Sequence, residues 1–212
     1  MNKPHIIGIA GKAGYGKSTI SKLIQASTTE RVEIISFADP VRKFLLQIFP
    51  YLTIKHFADP VLKETPIHML DDQTPRQLMQ RFATDFARSF DENIWTRHAE
   101  ITINELSRKH GSYSSPVKFI VFDDVRYENE VELIRDFNGT IIHLERTQDV
   151  VETPWWKKFG LTRPKVHSSE TGVRDMFYSH RDFIIKTDKP LEKTKADVQK
   201  LAACRFDRNY EV

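Results

Sequence analysis

The stretch Gly11-Lys12-Ala13-Gly14-Tyr15-Gly16-Lys17-Ser18 fits the spacing G-x-x-x-x-G-K-[ST]. Residues of these types at these intervals can cradle a polyphosphate. Small residues let backbone N–H groups approach the anion, and the positive end of the following helix faces it. Lys17 is then expected to reach the β- and γ-phosphates, and the Ser18 hydroxyl to take a place on Mg²⁺. Thr19 completes the turn, so residues Gly11 to Thr19 form the expected triphosphate site. Four fixed positions arise by chance in roughly 1% of chains of this length, given the average use of Gly. The spacing implies binding of a nucleoside triphosphate.

Other residues could act beside that cradle. Asp39 follows an apolar run, with Arg42 and Lys43 just after it. The carboxylate could take a hydroxyl or ring N–H of a small acceptor and the cations its phosphate, or Asp39 could simply cap a helix. Arg76 and Gln80 lie one helical turn apart and either reach one ligand or solvate their helix. Asp123 and Asp124 end another apolar run, where a carboxylate can orient Mg²⁺ or its water shell. Strand phase alone does not choose between them. Arg126 is placed to touch transferring phosphate or to pair with one of those acids. Between Arg146 and Arg174 the chain carries Arg146, Lys157, Lys158, Arg163, Lys165, Arg174 and the pair Trp155-Trp156. A basic solvated loop would leave the tryptophans unexplained, so a lid over phosphates is expected, with Arg146 or Arg163 reaching the transferred group.

These residues need elements to position them. His5–Ala10, 32–37, 117–122, 140–144 and 183–185 read as strands of β-branched and aromatic residues. Helices are expected from Ser18, over 41–49, from Thr74 (an N-cap followed by Pro75 at N1), over about 92–109, 128–137 and 191–203. Leu78, Met79, Phe82, Phe86 and Phe90 repeat at helical spacing, as do Ile94, Trp95, Ile101 and Leu106. Residues 51–72 read as irregular, with Pro60 and Pro66 as breakers. The alternation predicts an α/β chain with a parallel sheet covered on both faces, a three-layer P-loop NTPase fold. Ligands then lie beyond the carboxyl ends of the strands. The expected organisation is a single domain, with a core over about 1–50 and 115–205, a helical acceptor-binding region over about 51–112 and a lid over about 146–174. Phe37–Lys43 and Phe57–Lys63 are near-repeats, but two copies do not make a solenoid.

At 212 residues with net charge +3, the chain suits a globular protein handling phosphorylated small molecules. That charge does not argue for a nucleic-acid polymer. No run approaches the ~20 apolar residues of a membrane span, and Met1-Asn2-Lys3-Pro4-His5 lacks a signal-peptide pattern. The single cysteine, Cys204, excludes an internal disulfide and reads as an inert thiol on the last helix. A cytoplasmic setting is expected by default. The oligomeric state is not fixed, a homodimer being one option.

Taken together, Gly11 to Ser18, Ser36-Phe37-Ala38-Asp39-Pro40, Lys63-Glu64-Thr65-Pro66, Pro75-Arg76-Gln77-Leu78-Met79-Gln80, Asn93-Ile94-Trp95, Asp124-Val125-Arg126-Tyr127-Glu128-Asn129-Glu130 and His167-Ser168-Ser169-Glu170 resemble the deoxynucleoside monophosphate kinases of tailed bacteriophages. The likeness runs in order from Gly8 to about Asp188. It implies transfer of the γ-phosphoryl group of ATP to a 5′-deoxynucleoside monophosphate with Mg²⁺, in host cytoplasm if the chain is of phage origin. It also implies catalytic roles for Lys17, Asp124, Arg126 and Arg146, and acceptor contacts from Asp39, Lys43, Arg76, Gln80, Arg126, Trp155 and Glu170. Ser18 and Asp124 would hold the metal; the family pattern matches Asp124 rather than Asp123. Two departures stand out: Ser18 where family members often carry Asp, and Lys186-Thr187-Asp188-Lys189 where Asn-x-Gly is usual. A kinase for another small acceptor, such as dephospho-coenzyme A, and a non-catalytic nucleotide-binding module are the alternative readings.

Overall fold

The computed structural model describes residues 3–108, 115–146 and 182–206, with side chains to residue 201 in the last segment. The chain divides into two compact units, Met1–Ile35 with Thr102–Val212, and Ser36–Ile101.

The first unit is built on five strands: β1 (His5–Ala10), β2 (Arg31–Ile35), β3 (Val117–Val125), β4 (Thr140–Glu145) and β5 (Phe183–Lys186). They lie in the order β2-β3-β1-β4-β5 and every pairing is parallel. Parallel strands need covering on both faces, which is why they read as continuous apolar runs. On one face Ile7, Ile9, Val121, Ile142 and Leu144 pack with Ile20 and Ile24 of α1 (Lys17–Ala26) and Val198 and Leu201 of α8 (Leu191–Phe206). On the other lies α7 (Glu128–Asp136): a Cβ on Gly8 would sit 2.5 Å from Ile134 Cδ1 and 2.8 Å from Ile141 Cδ1. Helix, sheet and helix make the three-layer α/β architecture of P-loop proteins, as the alternation predicts.

The second unit is helical. It contains α2 (Asp39–Ile48), α3 (Ile54–Ala58), two short 3₁₀ turns at Leu62–Glu64 and His68–Leu70, and α4 (Pro75–Gln80). Next come a π-helical segment, Arg81–Ala87, and α5 (Arg88–Phe90). Val41, Leu45, Leu52 and Leu78 form its buried core. α4 starts as expected at Thr74, whose hydroxyl accepts from the Gln77 amide at 3.2 Å while the Gln77 side chain accepts from the Thr74 amide at 2.9 Å. This reciprocal cap satisfies two orphan donors of the first turn. α6 runs Ile94–Arg108.

Several expectations are corrected. Residues 51–72 are not uniformly irregular, since α3 and both 3₁₀ turns fall there. The stripe expected at helical spacing from Leu78 to Phe90 does not stay on one packed face: Phe86 and Phe90 are 58% and 75% exposed. The π segment widens the turn, so a stripe laid out at α-helical spacing drifts out of the packed face. Ile101 is also exposed, and α6 buries Thr96, Ala99 and Ile103 instead. Finally, β3 does not stop before the acidic pair but continues through Asp123 and Asp124 to Val125.

The near-repeat has no common structural role. Asp39 opens α2, whereas Asp59 lies past α3 and its carboxylate accepts from the Leu62 and Val61 amides, which hold its pKa below the ordinary value.

Candidate active site

The phosphate loop leaves β1 at Gly11 and enters α1 at Lys17. Gly14 and Gly16 have φ of +80° and +85°, left-handed values that L side chains rarely adopt. Gly16 caps α1, and its carbonyl accepts from the Thr19 and Ile20 amides at 2.9 and 3.0 Å. The Lys17 ammonium is folded over the loop, donating to the Gly11 carbonyl at 2.6 Å and the Lys12 carbonyl at 3.0 Å. Ser18 and Thr19 are exposed on the first turn of α1. Backbone amides at a helix start, an ammonium and a hydroxyl are the donor set that a polyphosphate requires.

Two neighbouring strands, β3 and β4, flank the start of the loop. Ala10 pairs with Val125 on one side and with His143 on the other. Gly11 therefore starts level with Arg126, one residue past β3, and with Leu144 on β4, while Asp124 directly precedes the Val125 pairing. A Cβ on Gly11 would lie 3.0 Å from Leu144 Cβ. Between the pairs Gly8↔Phe122 and Ala10↔Val125, β1 advances two residues and β3 three. The extra residue is a bulge at Asp123-Asp124, a device that re-aims side chains near functional sites. Of the two acids, Asp124 is buried (7% exposed) and Asp123 is half-buried.

Glu130 was not expected as a site residue on its own. Its buried carboxylate accepts from the Arg126 amide at 2.7 Å and the Tyr127 amide at 3.1 Å, capping α7 and fixing the turn after Asp124. The available signal was Glu three residues after an aromatic N-cap at the start of a helix. On β4's side, Arg146 Nη2 donates to the Gly14 carbonyl at 2.8 Å, and its guanidinium carbon lies 4.9 Å from the centre of the Tyr15 ring. Lys12 Nζ lies 5.8 Å from the same ring.

Of the residues expected to meet an acceptor, Asp39, Lys43, Arg76 and Gln80 lie in the second unit and Arg126 in the first. Asp39 occupies the first turn of α2, with Oδ2 accepting from the Ser36 amide at 2.8 Å and Oδ1 from Arg42 Nη1 at 2.6 Å. Lys43 is exposed on the same helix. Arg76 Nε donates to Glu64 Oε1 at 2.5 Å. Gln80 ends α4 half-buried, and the Trp95 indole donates to the Ala83 carbonyl of the π segment at 2.8 Å. Trp155, Glu170, Arg163 and the rest of the expected lid beyond Arg146 lie outside the described residues.

A third cluster escaped the sequence reading. On the sheet face toward α7, Asp182 Oδ2 accepts from Arg135 Nη2 at 2.9 Å and lies 3.5 Å from His143 Nε2. Its Oδ1 accepts from the Ile141 amide at 3.2 Å.

Three comparisons with known proteins gave matches. The family model for deoxynucleotide monophosphate kinase matches residues 55–198, more than half of the chain. A protein of Acanthamoeba polyphaga mimivirus, provisionally named a deoxynucleotide monophosphate kinase, is 26% identical over 198 residues, covering 89% of this chain and 91% of that one. Among solved structures, a gluconokinase from Sinorhizobium meliloti 1021 aligns at 16% identity with a TM-score of 0.44, over 99% of this chain and 100% of that one. A sugar kinase from Janibacter sp. HTCC2649 aligns at 14% identity with a TM-score of 0.40, over 98% and 96%.

Proposed function

Because the chain belongs to the deoxynucleotide monophosphate kinase family, we propose that it transfers the γ-phosphoryl group of ATP to a 5′-deoxynucleoside monophosphate, giving the diphosphate and ADP. The observation that carries this reading is the strand register: Ala10 pairs with Val125, so the phosphate loop opens beside Asp124 and Arg126. A carboxylate and a guanidinium at that position suit phosphoryl transfer, which depends on positioning and charge stabilisation rather than covalent chemistry.

In this scheme the triphosphate lies along the amides of Gly11 to Thr19. Lys17 exchanges the Gly11 and Lys12 carbonyls for β- and γ-oxygens. Mg²⁺, when bound, neutralises those oxygens, and the donors present fit it: one carboxylate and one hydroxyl suffice where substrate phosphates supply the rest. Ser18 and Asp124 would hold it. Arg126 and Arg146 face the charge that develops on the transferring group. The acceptor is assigned to Asp39, Lys43, Arg76 and Gln80, with Trp155 and Glu170 as further contacts from outside the described residues. Asp39 can take such a role while bound to Ser36 and Arg42, because a carboxylate offers about four lone-pair sites. The acceptor's phosphate oxygen attacks in line. Being largely ionised at neutral pH, it needs no strong general base.

The test is to incubate the chain with ATP, MgCl₂ and each common monophosphate, deoxy and ribo, and to follow ADP and the new diphosphate. Diphosphate formation from at least one deoxynucleoside monophosphate is expected. ATP binding with no acceptor phosphorylated, or phosphorylation of a non-nucleotide acceptor alone, would overturn the reading.

A further inference from the structure

The phosphate loop carries an aromatic residue at a position its own chemistry leaves undetermined. Tyr15 lies between Gly14 and Gly16, and its half-buried side chain packs against the cluster formed by β1, β4 and α1. Arg146 follows the last residue of β4, 131 positions further along the chain. Its guanidinium lies within cation–π distance of the Tyr15 ring, at 4.9 Å from the centre, and Nη2 donates to the carbonyl of the adjoining Gly14 at 2.8 Å. Two contacts of different kinds thus bring one exposed arginine to two consecutive residues of the loop. The flat guanidinium can stack on the ring while its five N–H donors point outward in its own plane. Gly14 uses one of them, and a bound polyphosphate could engage others.

We propose that Tyr15 is a positioning residue for Arg146, holding the guanidinium against the phosphate loop before the triphosphate binds. This rests on the kinase reading above and deepens it, because it selects Arg146, at the end of β4, as the arginine that meets the polyphosphate. A long arginine side chain loses rotamer freedom when fixed. If it is already held, less ordering remains to oppose the bound and transition states. The Tyr15 ring therefore acts through Arg146 and does not itself touch the reacting atoms. Lys12, 5.8 Å from the same ring centre, keeps a second cation nearby that cannot stack as a plane.

The experiment is a double-mutant cycle on the full chain, reading kcat, the KM for ATP and the melting temperature. Tyr15→Leu keeps an apolar side chain against the core and removes the ring. It is expected to lower kcat about two- to fivefold, the range of an exposed cation–π contact. Arg146→Ala lowers kcat further, and adding Tyr15→Leu to it has no additional effect. Tyr15→Phe, which restores the ring without the hydroxyl, recovers most of the loss. Arg146→Lys keeps the charge but loses the planar guanidinium, so it should fall by a factor similar to Tyr15→Leu. This exposed substitution also serves if the loop variants fold poorly. Equal fold-losses from Tyr15→Leu with and without Arg146 would overturn the proposal, as would Tyr15→Phe behaving like Tyr15→Leu or Arg146→Lys matching the wild type. Those outcomes, with a wild type that turns over, sink this inference alone. A wild type with no phosphoryl transfer sinks the kinase reading and this inference with it.

Discussion

The Glu130 carboxylate and the Arg126 amide are joined by a hydrogen bond of 2.7 Å, and the same oxygen accepts from the Tyr127 amide at 3.1 Å. One buried acid thereby sets the backbone between the end of β3 and the first turn of α7. Asp124 lies two residues before that anchor and Arg126 carries one of its donors. The conformation of this acidic–basic turn is therefore imposed by α7 as well as by the sheet.

Removing that acceptor leaves two amides to be solvated or unpaired. Glu130→Ala is expected to cost about 2 kcal/mol, combining a lost cap with unsatisfied buried donors. In a chain of this size that is a fall in melting temperature of roughly 4–8 °C. Glu130→Gln keeps one acceptor oxygen and should lose less. Turnover should fall with the same order of severity across the two variants. Unchanged melting of Glu130→Ala would show that this cap contributes nothing.

Lys17 bridges two loop carbonyls and is the cation assigned to the β- and γ-phosphates. Lys17→Ala should reduce turnover on the order of 10²–10³, as for other preorganised electrostatic donors. Melting temperature should change little, because a partly exposed ammonium on two carbonyls adds only modest stability. Normal turnover from this variant would contradict the proposed role.

If Asp124 helps hold Mg²⁺, Asp124→Asn should shift the activity–Mg²⁺ curve to higher concentration, whereas Asp123→Asn should move it much less. Excess EDTA should abolish transfer in the wild type and restored Mg²⁺ should return it. Titrating MgCl₂ against initial rate for the three proteins reads this directly, and identical curves would remove Asp124 from the metal site.

What the sequence disclosed and what it hid follow one physical division. The loop from Gly11 to Ser18 was legible because its strand, glycine turn and helix are contiguous. The five strands were legible because sheets covered on both faces leave uninterrupted apolar runs. Asp123-Asp124 misled because two acids look like a strand end, yet a bulge carries them inside β3. Phe86 and Phe90 misled because the π segment breaks the period on which the expectation rested. Arg135, His143 and Asp182 could not be found at all. They come from α7, β4 and the residue before β5, with Arg135 and Asp182 47 positions apart, and no local spacing records such a meeting.

That last cluster makes stability depend on pH. His143 is 4% exposed, and burial holds its pKa below the ordinary 6.5, against an upward pull from Asp182. Arg135 adds a downward push and Glu145 an upward one. The folded chain therefore binds a proton at His143 less readily than the unfolded chain does. Above about pH 6.5 both states hold the neutral imidazole and the site carries no penalty. As pH falls below that value the unfolded state takes up the proton first, and stability is lost down to the lowered folded pKa, by at most ~1.4 kcal/mol per pH unit. His143→Gln should remove this part of the slope while leaving the part due to carboxylates. Urea unfolding of both proteins at pH 5.5 and 7.5 measures it. The wild type should lose more stability between the two conditions than the variant, and parallel losses would show that His143 does not titrate with folding.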